Sequence, residues 1–285
     1  MKPRCIAEVR GDRQTSAMTR TALPASTLLF ALLAAGPALA SSSEGFETDG
    51  ARIRLVTTGK ADAAGRLTGI LDIDLKPGWK TYWRDPGDAG VPPYLDVAAS
   101  TNIAGAEFDF PAPQRHDEGD FKWAGYDFPV ALPVTFTLKA PGEPAFIDAD
   151  IFLGVCETIC IPVKTKLTLD PASDPDNPDD AAAVSAAQAT LPGAEQPDFG
   201  VKVISNPGDT TVVLEASFPG DPASAEFFIA GDEGYTFTTP KKFEKGGKTL
   251  FSVEAGLPEQ RSTGAGLHYT LVTDKGSVSG LLPYF

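Results

Sequence analysis

Between residues 66 and 75 every second position is apolar or glycine (Leu67, Gly69, Leu71, Ile73, Leu75), and Lys76-Pro77-Gly78 then breaks the run. A period of two puts those side chains on one face of an extended strand, and burying such a face takes a second layer. Similar short runs recur at 52–58, 93–99, 103–110, 130–138, 146–155 and 161–169, separated by turn residues. About eight strands at that spacing predict an all-β, immunoglobulin-like sandwich. Within it, Trp79 and Trp83 are expected as core fillers at a strand end. Residues 111–126, polar and studded with aromatics, are expected as a long functional loop.

The pattern changes after residue 169. Asp170-Pro171-Ala172-Ser173-Asp174-Pro175-Asp176-Asn177-Pro178-Asp179-Asp180 is acidic and proline-rich. It lacks the central glycine and terminal glutamate of an EF-hand, so it reads as a linker. Asp179 or Asp180 is expected to cap a short helix over 181–189, which Pro192-Gly193 ends. Runs at 201–205, 211–218, 225–229, 249–253, 267–273 and 277–282 predict a second, smaller β domain with no cysteine and one histidine, His268. The expected division is 1–40, 41–172, 173–196 for linker and helix, and 197–285.

The first 40 residues have another logic. Arg20 precedes an apolar stretch from 28 to 35, followed by Gly36-Pro37-Ala38-Leu39-Ala40 and a serine run. That order describes an export signal cleaved after Ala40, with Met18 as an alternative start. The apolar run is too short to span a bilayer, so the expectation is a periplasmic protein with no membrane anchor of its own. Residues 1–40 hold five basic and two acidic side chains. Taking them from totals of 24 and 38 leaves 19 against 36, a net of −17. So acidic a surface repels phosphate backbones, which argues against nucleic acid as a partner.

Motifs for phosphate binding, zinc hydrolysis or a serine nucleophile are absent. Chemistry therefore centres on Cys156 and Cys160, the only thiols after residue 40. Together with His116 they offer soft-metal ligands. The methionine- or histidine-rich tracts of copper handlers are missing, so no metal or cofactor is expected. Residues four apart on a straight strand lie roughly 13 Å apart, whereas bonded cysteines need Cα atoms about 4.4–6.8 Å apart. Glu157-Thr158-Ile159 must therefore turn if the sulfurs are to bond. Closing so short a loop stabilises by only about 2 kcal/mol. A structural clasp and a working dithiol both remain open on the residues alone.

Gly78-Trp79-Lys80-Thr81-Tyr82-Trp83, Pro111-Ala112-Pro113, Gly125-Tyr126, Leu132-Pro133-Val134 and Val155-Cys156…Cys160-Ile161-Pro162 together resemble the periplasmic N-terminal domain of the DsbD family, its ScsB-like branch above all. The resemblance covers residues 50–170. It implies an immunoglobulin-like sandwich whose redox-active pair, Cys156 and Cys160, accepts electrons from a membrane-embedded DsbD-like donor. The pair would pass them to periplasmic thioredoxin-fold oxidoreductases, with Cys156 as the attacking thiol, in a role tied to copper tolerance or cytochrome c maturation. It also implies a shielding cap around His116 to Phe121, with Phe121 as lid, Asp117 and Glu118 near the sulfurs, and Tyr126 among the shielding residues. Two features depart from the family: this chain ends at Phe285 without membrane helices, and only three residues separate its cysteines. The expected donor is therefore a separate membrane protein. The alternative reading is a non-catalytic periplasmic β-sandwich module with a structural bond.

Overall fold

The computed structural model describes residues 41–87, 90–119, 121–206, 209–232, 234–258 and 265–284. The expected export signal, residues 1–40, lies outside them. The first β domain comprises β1 (Phe46–Glu47), β2 (Ala51–Thr57), β3 (Arg66–Leu75), β4 (Thr81–Gly87), β5 (Tyr94–Asp96), β6 (Ile103–Phe108), β7 (Gln114–Asp117), β8 (Lys122–Tyr126), β9 (Val130–Leu138), β10 (Ile147–Cys156) and β11 (Cys160–Leu169). Helix α1 (Pro178–Gln188) follows. The second β domain comprises β12 (Gly193–Ala194), β13 (Gly200–Val203), β14 (Thr211–Ser217), β15 (Glu226–Ala230), β16 (Thr236–Phe237), β17 (Lys241–Lys245), β18 (Lys248–Gly256), β19 (Leu267–Thr273) and β20 (Gly276–Leu282).

The first domain is the expected sandwich. A sheet ordered β1-β2-β3-β9-β6 faces a sheet ordered β11-β10-β5. The period-two positions meet between them: Ile53, Leu55, Leu71, Ile73 and Leu132 from one layer, and Ile147, Ile151 and Leu153 from the other, all fully buried. Each such side chain contributes roughly 1.5–3 kcal/mol of burial. Trp83 lies in this core and Trp79 packs at its margin.

The sequence reading missed a third sheet, ordered β4-β8-β7. Residues 111–126 are not a loop; they supply the hairpin β7–β8. Their mixed aromatic and polar composition conceals the alternation because both faces of this sheet are covered. Gly125 permits the close pairing of β8 with β4, since a Cβ there would lie 2.2 Å from the Thr81 carbonyl oxygen. Thr81 Oγ1 in turn donates to the Gly154 carbonyl at 2.9 Å, tying the sheet to β10.

Helix α1 starts earlier than expected and is capped by Asn177, whose side chain accepts from the N–H groups of Asp179 and Asp180. Pro178 takes the first helical position, where a missing N–H costs nothing. The two aspartates occupy the first turn, beside the positive end of the helix dipole. Val184 and Ala187 pack on Val56 and Ile70 on the outer face of the five-stranded sheet. Ser41 Oγ donates to the buried Asp180 carboxylate at 2.5 Å. Residues 173–196 thus fold back onto the first domain.

The second domain pairs a sheet ordered β12-β20-β19-β15 with one ordered β13-β14-β18-β16, β17 also pairing with β18. Its core includes Val212, Leu214, Phe227, Val253, Tyr269 and Leu271. Strand β17 escaped the sequence reading because Lys241-Lys242-Phe243-Glu244-Lys245 is exposed along its whole length. On β15, Phe227 and Ile229 point into this core, whereas Phe228 and Ala230 are buried in the core of the first domain. One strand thereby serves both domains.

Candidate functional site

Cys156 ends β10, Cys160 begins β11, and the two are register partners across a hairpin whose turn is Glu157-Thr158-Ile159. Their Cα atoms lie 4.2 Å apart and the sulfurs form a disulfide. The chain turns where the strand-rise argument requires. Pro162, opposite Gly154, is accommodated because β11 is an edge strand.

The two sulfurs sit in different surroundings. Cys156 is 2% exposed and packs with Tyr82 and Trp123. Its backbone exchanges two hydrogen bonds with Lys80, at 2.8 and 2.9 Å. Cys160 is exposed. Ile159 beside it is 77% exposed and Ile161 is 39% exposed. An open hollow of about 340 Å³ lies on the same flank, lined by Phe46, Gly50, Trp79, Val155, Ile161 and Pro162 among others.

Tyr82 is central to the geometry. Its hydroxyl lies 3.0 Å from Cys156 Sγ and 3.1 Å from Cys160 Sγ. Disulfide sulfurs carry no proton, so the hydroxyl is the donor, its single proton shared between the two. The ring lies over Gly154, where a Cβ would come within 3.0 Å of it. Burial, and secondarily the Glu118 charge, holds the phenol above its ordinary pKa, so it remains a protonated donor. Trp123 packs edge-on against Tyr82 at 5.8 Å.

Trp123 is held from three directions. His116 stacks on it at 3.8 Å and 8°. Lys80 Nζ lies 4.8 Å from its ring centre, and its indole N–H donates to Glu118 Oε1 at 3.0 Å. Glu118 also accepts from Lys80 Nζ at 2.5 and 2.7 Å. The Lys80 hydrogen bond is the main reason the Glu118 carboxyl titrates below the usual carboxylate range. Burial lowers the His116 pKa, and its Nε2 is buried without a hydrogen-bond partner. Lys80 is thus bonded through its backbone to Cys156 and through its side chain to the β7–β8 hairpin.

The anticipated cap residues take distinct places. Glu118 and Phe121 close the β7–β8 hairpin, the N–H of Glu118 donating to the carbonyl of Phe121. The Phe121 side chain is 54% exposed. Asp117 pairs with Lys122 at 3.6 Å and accepts from the Gly119 N–H. Tyr126 is fully buried in the main core, and its hydroxyl donates to the Pro111 carbonyl at 2.8 Å. The pleat explains this, because Trp123 faces the sulfurs while Ala124 and Tyr126 face the core. Tyr126 roots the hairpin and is not part of the cluster around Cys156.

Lys80, Tyr82 and Trp123 went unassigned by sequence reasoning. A signal was present in Lys80-Thr81-Tyr82-Trp83, where a strand puts Lys80 and Tyr82 on one face. Among the described residues no cluster of three or more histidine, cysteine, aspartate or glutamate side chains could hold a metal. None of their helices is long and apolar enough to cross a membrane.

Residues 54–172 match the family described as "Thiol:disulfide interchange protein DsbD, N-terminal". The fold is similar to the N-terminal periplasmic domain of ScsB from Proteus mirabilis, with a TM-score of 0.67 and 21% identity, covering 86% of this chain and 99% of that one. No curated protein matches the chain. Residues 54–172 are therefore a domain of the DsbD N-terminal family, set within a chain whose fold is similar to that ScsB domain.

Proposed function

We propose that this chain is a periplasmic thiol–disulfide exchange protein whose Cys156–Cys160 pair carries two electrons from a membrane-embedded donor to thioredoxin-fold partners. One observation carries the reading: the bond joins a buried, fixed sulfur to an exposed one within a single hairpin turn, with a phenol donor against both. Opening it need not disturb the sandwich core.

The burial pattern supports a different division of roles from the one the family resemblance implies. With Cys156 only 2% exposed, an incoming sulfur meets Cys160 first. In the reduced protein the Cys160 thiolate attacks a partner disulfide, one partner sulfur leaves as a thiolate, and a mixed disulfide forms. The Cys156 thiolate then attacks Cys160 Sγ, re-forming the intramolecular bond and releasing the partner as a dithiol. Tyr82 donates a hydrogen bond to whichever cysteine sulfur is anionic, which favours the thiolate. Glu118, tied to Lys80, brings a compensated charge to the site.

Removing the buried sulfur tests the assignment. Cys156→Ala should accumulate a mixed disulfide through Cys160 with a periplasmic thioredoxin-fold protein, detected by non-reducing electrophoresis and mass spectrometry. If Cys160→Ala is the variant that traps, the two roles are exchanged. A reduction potential well below about −300 mV would instead mark the bond as structural.

A further inference from the structure

The β4–β8–β7 sheet has two faces with separate contacts. On the front, Tyr82 touches both sulfurs and His116 stacks on Trp123. On the back, the residue adjacent to Tyr82 on β4 and the one adjacent to His116 on β7 are held by the second domain. Trp83 meets Phe228 edge-on at 5.9 Å. The Arg115 guanidinium lies 4.4 Å from the centre of the Phe228 ring and donates to the Phe227 carbonyl at 2.9 Å. Phe228 is 1% exposed and belongs to the first domain's core. Adjacent residues on a strand point to opposite faces but share a backbone, so fixing one fixes the other.

We infer that the second β domain is a positioning element of the redox site: through Phe228 and Arg115 it sets the pose of Tyr82 and of the His116–Trp123 stack against the cysteine pair. This inference rests on the exchange reading above. The domain then acts on the chemistry without presenting any of its described residues to the sulfurs. Tyr82 is the sensitive point, because hydrogen bonding to sulfur weakens steeply with distance and angle. A sheet released from β15 holds that hydroxyl less well. The donor is worth more to a thiolate than to a disulfide sulfur, so its loss favours the oxidised form.

The test is a redox titration of the full chain in glutathione buffers, following the thiol content of Cys156 and Cys160. Phe228→Ala and Arg115→Ala should shift the dithiol–disulfide equilibrium roughly three- to tenfold toward the disulfide, the size of coupling expected between groups in one contact network. Phe228→Leu, which keeps apolar bulk, should shift it less than Phe228→Ala. Val253→Ala, a truncation in the second domain's own core, should lower thermal stability and leave the equilibrium at the wild-type value. Should Phe228→Ala fail to fold, the half-buried Arg115 carries the test through Arg115→Ala.

Wild-type equilibria in both Phe228→Ala and Arg115→Ala would overturn the inference while leaving exchange intact. An equal shift in Val253→Ala would overturn it too, by showing general loosening. A wild-type bond that glutathione cannot open would overturn the exchange reading itself.

Discussion

Two hairpins in this molecule close antiparallel strands over tight turns by different means. In the second domain, β17 and β18 turn through Gly246 and Gly247, at φ of 62° and 75°, with Lys245 and Lys248 as the closing pair. In the first, β10 and β11 turn through three residues without glycine, and the closing pair is Cys156 and Cys160. Glycine reaches left-handed conformations without steric cost, so the first solution needs no covalent help. The chain can therefore make a tight hairpin without a disulfide. The comparison argues that the cysteines serve something besides turning the backbone, and the surroundings agree. The lysine pair is exposed, whereas Cys156 is buried beside Tyr82 and Trp123.

The strongest challenge to that contrast is chemical. Cys160→Ser should abolish thiol–disulfide exchange with a thioredoxin-fold partner, measured by partner thiol release, while circular dichroism shows the fold retained. Next in size, Trp123→Ala should cost about 3–5 kcal/mol in chemical denaturation, as expected for a buried aromatic.

The paired removal Cys156→Ala with Cys160→Ala should cost only about 2 kcal/mol, the closure entropy of so short a loop. A loss near 5 kcal/mol would make the bond structural and break the comparison. Gly247→Ala should cost about 1–2 kcal/mol through left-handed strain alone. Tyr82→Phe should raise the thiol pKa and slow attack at neutral pH roughly tenfold, about one pKa unit. Thiolate absorbance against pH reads this directly.

The smallest effect concerns pH. Glu118 titrates below the usual carboxylate range, so its contribution to stability is present above that range and is lost as pH falls through the lowered folded value. His116 is also depressed, by burial. Its contribution holds above the ordinary histidine pKa near ~6.5 and declines as pH falls toward the lowered value. Melting temperature against pH should thus show a flatter acid limb in Glu118→Gln and in His116→Phe than in the wild type.

Much of this was legible in the sequence wherever one face of a strand is buried and the other is wet. The alternation in β3 and β9 and the turn between the cysteines follow from pleat and strand rise alone. Strand β17 was not legible, because Phe243 is its only apolar residue. The β4–β8–β7 sheet was hidden because its front packs on the sulfurs and its back on another domain, which erases the contrast between faces. Phe228 carried a readable sign: the unbroken run Phe227-Phe228-Ile229-Ala230 belongs to a strand covered on both sides. What covers the second side depends on tertiary packing that no local pattern encodes.

The backbone around the two cysteines has a further consequence. Cys156 is bonded through its main chain to Lys80 on one side and aligned with β11 on the other, whereas Cys160 opens an edge strand that, among the described residues, pairs with β10 alone. In the proposed exchange, opening the sulfur–sulfur bond leaves one half of the pair anchored and the other free to swing. The distance over which exchange can occur is then governed by how far the first residues of β11 peel from β10. The buried sulfur stays still, as a fixed destination to which the travelling one returns.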